Sequence, residues 1–209
     1  MKVIDLSYKI EENMPQYPGQ PDLKIKKIAK VETDGYQVTE VDCVVHIGTH
    51  CDAPAHFIKD GETIDNLPVD FFVGNAILVD VPYLVDRRMK IDLLNDIDIN
   101  VNDIIIFRTG MNKYWGKEDY FTKFPYLTEE LANFLIRKKV KVVGFDTLSP
   151  EPVETIDFPI HHMLLGKGIG IVENLTNLEL INEKRFLFVA LPLKIDKSDG
   201  SMVRAVAII

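Results

Sequence analysis

The apolar residues of this chain come in short runs. FLFVALPL, Phe186–Leu193, is among the longest, and it has the length of a buried strand rather than of a membrane span. No run reaches eighteen, so no transmembrane helix is expected. Ala76–Val81 and Ile104–Arg108 are further runs of the buried-strand type, and Val3–Ser7 and Phe186–Ala190 read the same way. Met202–Ile209 reads as one closing strand. Leu23–Val31 and Tyr36–Val45 flank Asp34-Gly35, a strong hairpin signal. Glu11–Asp22 holds three prolines and a glycine and must be a loop.

The best helix is Thr128–Lys139. Thr128 can cap it, Glu129 and Glu130 suit its positive end, and Arg137, Lys138 and Lys139 its negative end. Val140–Phe145 is the strand that this helix feeds, and His161–Leu165 is a short helix. Strands outnumber helices. The expected architecture is a single α/β domain, 1–209, built on a mixed, largely antiparallel sheet with a few flanking helices. A chain of 209 residues buries about 70% of its unfolded surface without disulfide staples.

Charge narrows the partners. Thirty-two acids against twenty-four Lys and Arg give a net charge of -8, which disfavours nucleic acid and anionic membrane surfaces. Two cysteines, Cys43 and Cys51, make no disulfide framework and point to a reducing, cytoplasmic setting. MKVIDLSYKI carries an acid within five residues and no apolar core, so no signal peptide is expected.

The chemistry is concentrated in one place. Three of the five histidines fall within eleven residues, His46-Ile-Gly-Thr-His50-Cys-Asp52-Ala-Pro-Ala-His56. Imidazole nitrogens beside a carboxylate form a first shell for Zn²⁺, Mn²⁺ or Fe²⁺. Gly48 and Pro54 argue against a helix. In an extended chain His46, Gly48, His50 and Asp52 share a face, with Gly48 leaving room for an ion. Pro54 then turns His56 back over the same space. Cys51, on the opposite face, reads as a packed thiol rather than a nucleophile. The residues alone leave Glu173 open between a solvated strand end and a ligand. They do not choose between His161 and His162. Tyr17 and Tyr36 are aromatic residues that could stack on an aryl substrate or simply pack.

The motif from His46 to Phe57 resembles the cyclase family of metal-dependent hydrolases, whose members include bacterial kynurenine formamidases and isatin hydrolases. The resemblance continues through DLSYKIEENMPQYPGQP (Asp5–Pro21), GFDTLSPEP (Gly144–Pro152), HHMLLGKGIGIVENLTNL (His161–Leu178) and LPLKIDKSDGSMVRAVAI (Leu191–Ile208). It implies a β-barrel-like fold of the swivelling β/β/α type. It implies His46, His50, Asp52, His161 and Glu173 as metal ligands, His56 as the catalytic histidine, and one or two divalent ions, zinc first and manganese second. It implies a homodimer or homotetramer acting on a small-molecule amide, in the manner of an arylformamidase that converts N-formylkynurenine to kynurenine and formate in tryptophan catabolism, or of an isatin hydrolase that opens a cyclic amide or lactone. Tyr17 is the candidate substrate contact. Three positions depart from the pattern: Gln20 and Glu151 stand where aspartate or another acid is usual, and Met202 where proline is frequent. The first lies in a loop expected to line the pocket.

Two rivals remain. His50-x-Asp52 with a distant His161 has the order of the facial triad of Fe(II) oxygenases, which would leave His46 and Glu173 idle. A non-catalytic metal or small-molecule binder would use the same ligands without turnover.

Overall fold

The computed structural model describes residues 1–83 and 85–209. Thirteen strands follow in order: β1 (Val3–Asp5), β2 (Lys24–Ala29), β3 (Val38–Asp42), β4 (His50–Asp52), β5 (Val73–Asp80), β6 (Arg88–Met89), β7 (Ile104–Arg108), β8 (Tyr126–Leu127), β9 (Val142–Phe145), β10 (Gly170–Glu173), β11 (Arg185–Val189), β12 (Gly200–Met202) and β13 (Val206–Ile208). Four α-helical segments accompany them: α1 (Val31–Asp34), α2 (Glu118–Thr122), α3 (Glu129–Lys138) and α4 (Pro159–Leu165).

Nine strands form one sheet in the order β1-β13-β11-β5-β7-β9-β10-β4-β12. Its centre, β5-β7-β9-β10, is parallel. The flanking contacts are antiparallel. A largely antiparallel sheet therefore describes the flanks and not the centre. The reason lies in the connections. α3 and α4 return the chain to the same end of the sheet before β9 and β10, and such crossovers produce parallel neighbours.

The C-terminus is where the sequence reading needs correction. Met202–Ile209 is not one strand. β12 pairs with β4 at one edge of the sheet, and β13 pairs with β1 and β11 near the other. Met202 and Val206 are less than about 15 Å apart along the chain, so the two edges must approach each other and the sheet curls into a half-barrel. Val203–Ala205 stitches the seam: Val203 N–H donates to Thr49 O (3.1 Å) and Leu6 N–H to Ala205 O (2.8 Å).

Strand alternation divides the interior into two cores. Ala76, Leu78, Ile104, Ile106, Val142 and Val172 face the inside of the curl, together with Cys51, Phe186 and Phe188. Ile77, Val79, Ile105, Phe107, Val143 and Ile171 face outward, against Leu131 and Leu135 of α3 and Ile160 and Leu164 of α4. Ile104–Phe107 are wholly buried, each worth about 1.5–3 kcal/mol of transfer. α3 begins as its sequence predicts: the Thr128 hydroxyl accepts Leu131 N–H at 3.3 Å. Lys139 closes it in the left-handed conformation, φ 55°. β2 and β3 pair as the expected hairpin, but the turn between them is larger than Asp34-Gly35 alone. Val31–Asp34 makes one helical turn, and Gly35, at φ 79°, ends it.

Candidate metal centre and active site

β4 and β10 lie side by side, with His50 opposite Glu173 and Asp52 opposite Ile171. Opposed residues of an antiparallel pair share a face. His50, Asp52 and Glu173 therefore project together, away from the inner core that holds Cys51. α4 packs across this face and adds His161. His50, Asp52, His161 and Glu173 are all buried.

His46 reaches the cluster by another route than the extended chain predicted. Val45–Thr49 is a series of bends, not strand. Gly48 sits at φ 57°, and a Cβ there would come within 2.8 Å of Ile10 Cδ1 and 2.9 Å of Met14 Cε. The glycine is needed for its backbone conformation and close packing, not to leave space for an ion. The bend carries the Gly48 carbonyl to His50, whose Nδ1–H it accepts at 2.8 Å. Asn174 holds that carbonyl from the other side, donating to it at 3.0 Å, and Tyr120 donates to Asn174 Oδ1 at 2.6 Å. Each of these bonds fixes the direction of His50, leaving Nε2 toward the carboxylates.

There Nε2 of His50 lies 3.3 Å from Glu173 Oε2 and 3.6 Å from Asp52 Oδ1. Nε2 of His161 lies 3.5 Å from Glu173 Oε1 and 3.9 Å from Asp52 Oδ2. Most of these separations exceed a hydrogen bond. Asp52 Oδ2 and Glu173 Oε1 are buried without any hydrogen-bond partner among the described residues. A buried carboxylate oxygen left bare costs several kcal/mol unless a cation faces it. Three candidate ligand sets converge here: His46-His50-Asp52 and Asp52-His161-Glu173, which share Asp52, and the partly exposed His46-His56-Asp199 at the rim. The donor set and the bare oxygens fit one or two divalent ions.

The flanking contacts are charged. His46 donates from Nδ1 to Asp52 Oδ1 and from Nε2 to Asp199 Oδ2, both at 2.9 Å. Burial opposes the imidazolium, but Asp199 and Asp52 outweigh it and raise His46 to about 10. Asp52, despite its own burial, is held below the usual carboxylate range by His46. His161 donates from Nδ1 to Glu151 Oε1 at 2.5 Å. Burial again works against its charge, and Glu151 and Glu173 overcome it, to about 9. Glu151 also accepts Ile160 N–H at 3.0 Å and His161 N–H at 3.3 Å, which satisfies open donors in the first turn of α4. The longer acid that departs from the family pattern therefore orients the His161 ring. His56 sits in the one-turn 3₁₀ segment Pro54–His56, its ring stacked 3.8 Å from His46. Burial lowers its pKa.

The structure brings together His46, His50, Asp52, His56, His161 and Glu173, and leaves His162 exposed. Above them a cavity of about 200 Å³ is walled by Pro15, Gln16, Tyr17, Phe57, Leu148 and Phe158. Tyr17 lines it, its hydroxyl 3.4 Å from Val153 O. Tyr36 does not; it is exposed at the hairpin. Gln20 is not among the cavity walls either, and Gln16 takes that place. Asp199, Glu151 and Asn174 were missed as functional residues by sequence reasoning. The only sequence signal for Asp199 was its position beside Gly200 in a stretch of family resemblance.

The Putative cyclase family model matches residues 4–152. The chain belongs to the cyclase family. A kynurenine formamidase of Bacillus cereus is 32% identical over 205 residues, covering 97% of this chain and 95% of that one. A solved structure from Bacillus stearothermophilus, described as a predicted metal-dependent hydrolase, is 32% identical at TM-score 0.82, covering 99% of this chain and 97% of the other. Isatin hydrolase A from Ralstonia solanacearum superposes at TM-score 0.87 with 25% identity, covering 99% of this chain and 91% of the other. Curled sheet and buried cluster thus sit in a chain whose relatives align over almost their whole length.

Proposed function

We propose that this chain is a metal-dependent hydrolase that cleaves the C–N bond of an aryl formamide, as its relatives named kynurenine formamidase do. One observation carries the reading: two buried carboxylate oxygens without partners among the described residues, Asp52 Oδ2 and Glu173 Oε1, face a single histidine nitrogen, His161 Nε2, across gaps of 3.9 and 3.5 Å. His46, His50 and Asp52 would hold one ion, and Asp52, His161 and Glu173 a second, zinc before manganese. Such an ion supplies Lewis acidity and lowers the pKa of a water.

The chain's own residues do the rest. Tyr17, Phe57 and Phe158 offer aromatic surface for the aryl group. His56 takes a proton from the attacking water and returns it to the departing nitrogen. The water oxygen joins the formyl carbon, the C–N bond breaks, and formate and an arylamine leave. Its lowered pKa keeps His56 neutral, as a base must be. An isatin-type lactam undergoes the same steps with both products still joined.

The cluster offers more donors than a facial triad uses, since His46 and Glu173 both reach it. This favours hydrolysis over an oxygenase. The whole span 1–209 acts as one unit in this reading, because β4, β10 and β12 are drawn from distant parts of the chain. Free Cys43 and Cys51 suit a cytoplasmic setting. Among the described residues no helix is long and apolar enough to cross a membrane. Exposed Ile28, Tyr36, Val38 and Val41 on the β2–β3 hairpin support a homodimer or homotetramer. Sedimentation at micromolar concentration should find no active monomer; an active monomer refutes the assembly. A panel of N-formylkynurenine, formanilide, isatin and small lactones tests the reaction. Formate release from the formamides is expected, and turnover of none of them overturns the reading.

A further inference from the structure

Asp199 precedes Gly200 at the start of β12, at the outer rim of the cluster. Strand pairing fixes its place. Ala53 N–H donates to Asp199 O at 2.9 Å, and Gly200 lies opposite Asp52 in the β4–β12 ladder. Gly200 makes the approach possible: a Cβ there would come within 2.5 Å of His46 Cε1 and 2.9 Å of Nε2. The His46 ring therefore lies against bare backbone, with its Nε2 on the Asp199 carboxylate.

Two rings use a single oxygen. Asp199 Oδ2 accepts from His46 Nε2 at 2.9 Å and from His56 Nδ1 at 3.1 Å. The two rings are stacked at 3.8 Å, with 22° between their planes. A carboxylate only accepts, so both of those nitrogens must carry hydrogen. This leaves His46 with Nδ1 toward Asp52, and His56 with Nε2 as its one nitrogen free to take or give a proton. The neighbouring half of the cluster is built the same way: Glu151 fixes His161 through Nδ1. There the acid serves one histidine, whereas here it serves two.

We propose that Asp199 is the positioning residue that sets the tautomer of His56 and holds His46 through its Nε2–H, so that Nδ1 is the nitrogen His46 offers to a metal ion. The proposal rests on the reading of His56 as the proton carrier. Asp199 touches neither the substrate nor the reacting atoms in this role. Its side chain is 46% exposed, and His46 keeps Asp52 as a carboxylate partner when Asp199 is removed, so the fold should survive.

The test uses the zinc-loaded full-length chain and compares wild type with Asp199→Ala and Asp199→Asn. Long-range ¹H–¹⁵N spectra of the imidazole rings report the tautomers directly. In wild type His56 should be protonated at Nδ1. In Asp199→Ala that signal should give way to a mixture, with kcat down about 10–100-fold, KM little changed and zinc content intact. Because both rings meet one oxygen, the amide of Asp199→Asn keeps an acceptor and should recover much of the loss. Unchanged tautomers in Asp199→Ala overturn the proposal. Loss of zinc from Asp199→Ala also overturns it, by making Asp199 a ligand alongside His46 and His56. The reading of His56 is tested apart from this, by the turnover of His56→Ala; the spectra decide the part of Asp199 whichever way that result falls.

Discussion

The cluster has an inner and an outer half, and they are built differently. His50, Asp52, His161 and Glu173 form the inner half, each buried, on adjacent strands or on the helix packed across them. His46, His56 and Asp199 form the outer half, on a bend, a single 3₁₀ turn and a strand start, all partly open to solvent. The inner half leaves two carboxylate oxygens bare, while the outer half is hydrogen-bonded through Asp199 and, at His46 Nδ1, to Asp52 of the inner half. A buried pocket with unmet charge suits a cation. A more exposed chain of hydrogen bonds suits a proton. His46 belongs to both halves, since it also completes the set with His50 and Asp52, so the two tasks of a metallohydrolase are graded by burial and meet at that ring.

Substitutions should separate the halves in the same way. The largest effect belongs to His56→Ala. Its kcat should fall about 10²–10⁴-fold while metal content, read by elemental analysis, stays at the wild-type level. If the metal leaves with the rate, His56 is a ligand and the division is wrong.

In the inner half, His161→Ala should weaken metal binding by more than the about 10–100-fold typical of outer partners, as measured by competition with a chelator. His162→Ala, at the exposed neighbour, should leave binding unchanged. Equal losses from the two would show that α4 is turned differently from the structure.

Glu151→Gln should fall between these two. The amide can still accept from His161 Nδ1 but loses the charge, so metal affinity should drop about tenfold. Glu151→Asp, too short to reach both ring and backbone, should do no better. An affinity unaltered in both variants would reduce Glu151 to a helix cap.

The smallest effect concerns pH. His46, at about 10, and His161, at about 9, are raised by their carboxylate partners, so both hold protons that a metal must displace. Apparent metal affinity should therefore fall as pH drops below about 9, and binding should release protons at neutral pH. Calorimetry in buffers of different ionisation enthalpy counts them. Binding without proton release would mean that the metal does not use these nitrogens.

The same division explains what the sequence disclosed. His46, His50, Asp52 and His56 could be read because one short segment carries them all. α3 and β7 could be read because capping and apolar runs are local signals. Glu173 could not be settled from its neighbours, since its partner is set by strand register across the β4–β10 pair. Asp199 meets His56 across 143 residues, and nothing near it in sequence announces the contact. Gly48 was misread because a glycine between two ligands suggests space, whereas the backbone there turns at φ 57° under Ile10 and Met14. The last strand was misread because one stretch, apolar but for Arg204, serves two edges of a curled sheet.

Hydrolysis should depend on a divalent metal held by the inner half of the cluster. The most direct test is removal and return of the metal in the wild-type chain. The purified protein is stripped with a chelator, its metal is counted, and formate release from N-formylkynurenine is followed as Zn²⁺ or Mn²⁺ is added back. At least one ion per chain is expected before stripping, with loss of turnover without it and recovery that saturates at one or two equivalents. Full turnover by the metal-free protein would contradict that dependence.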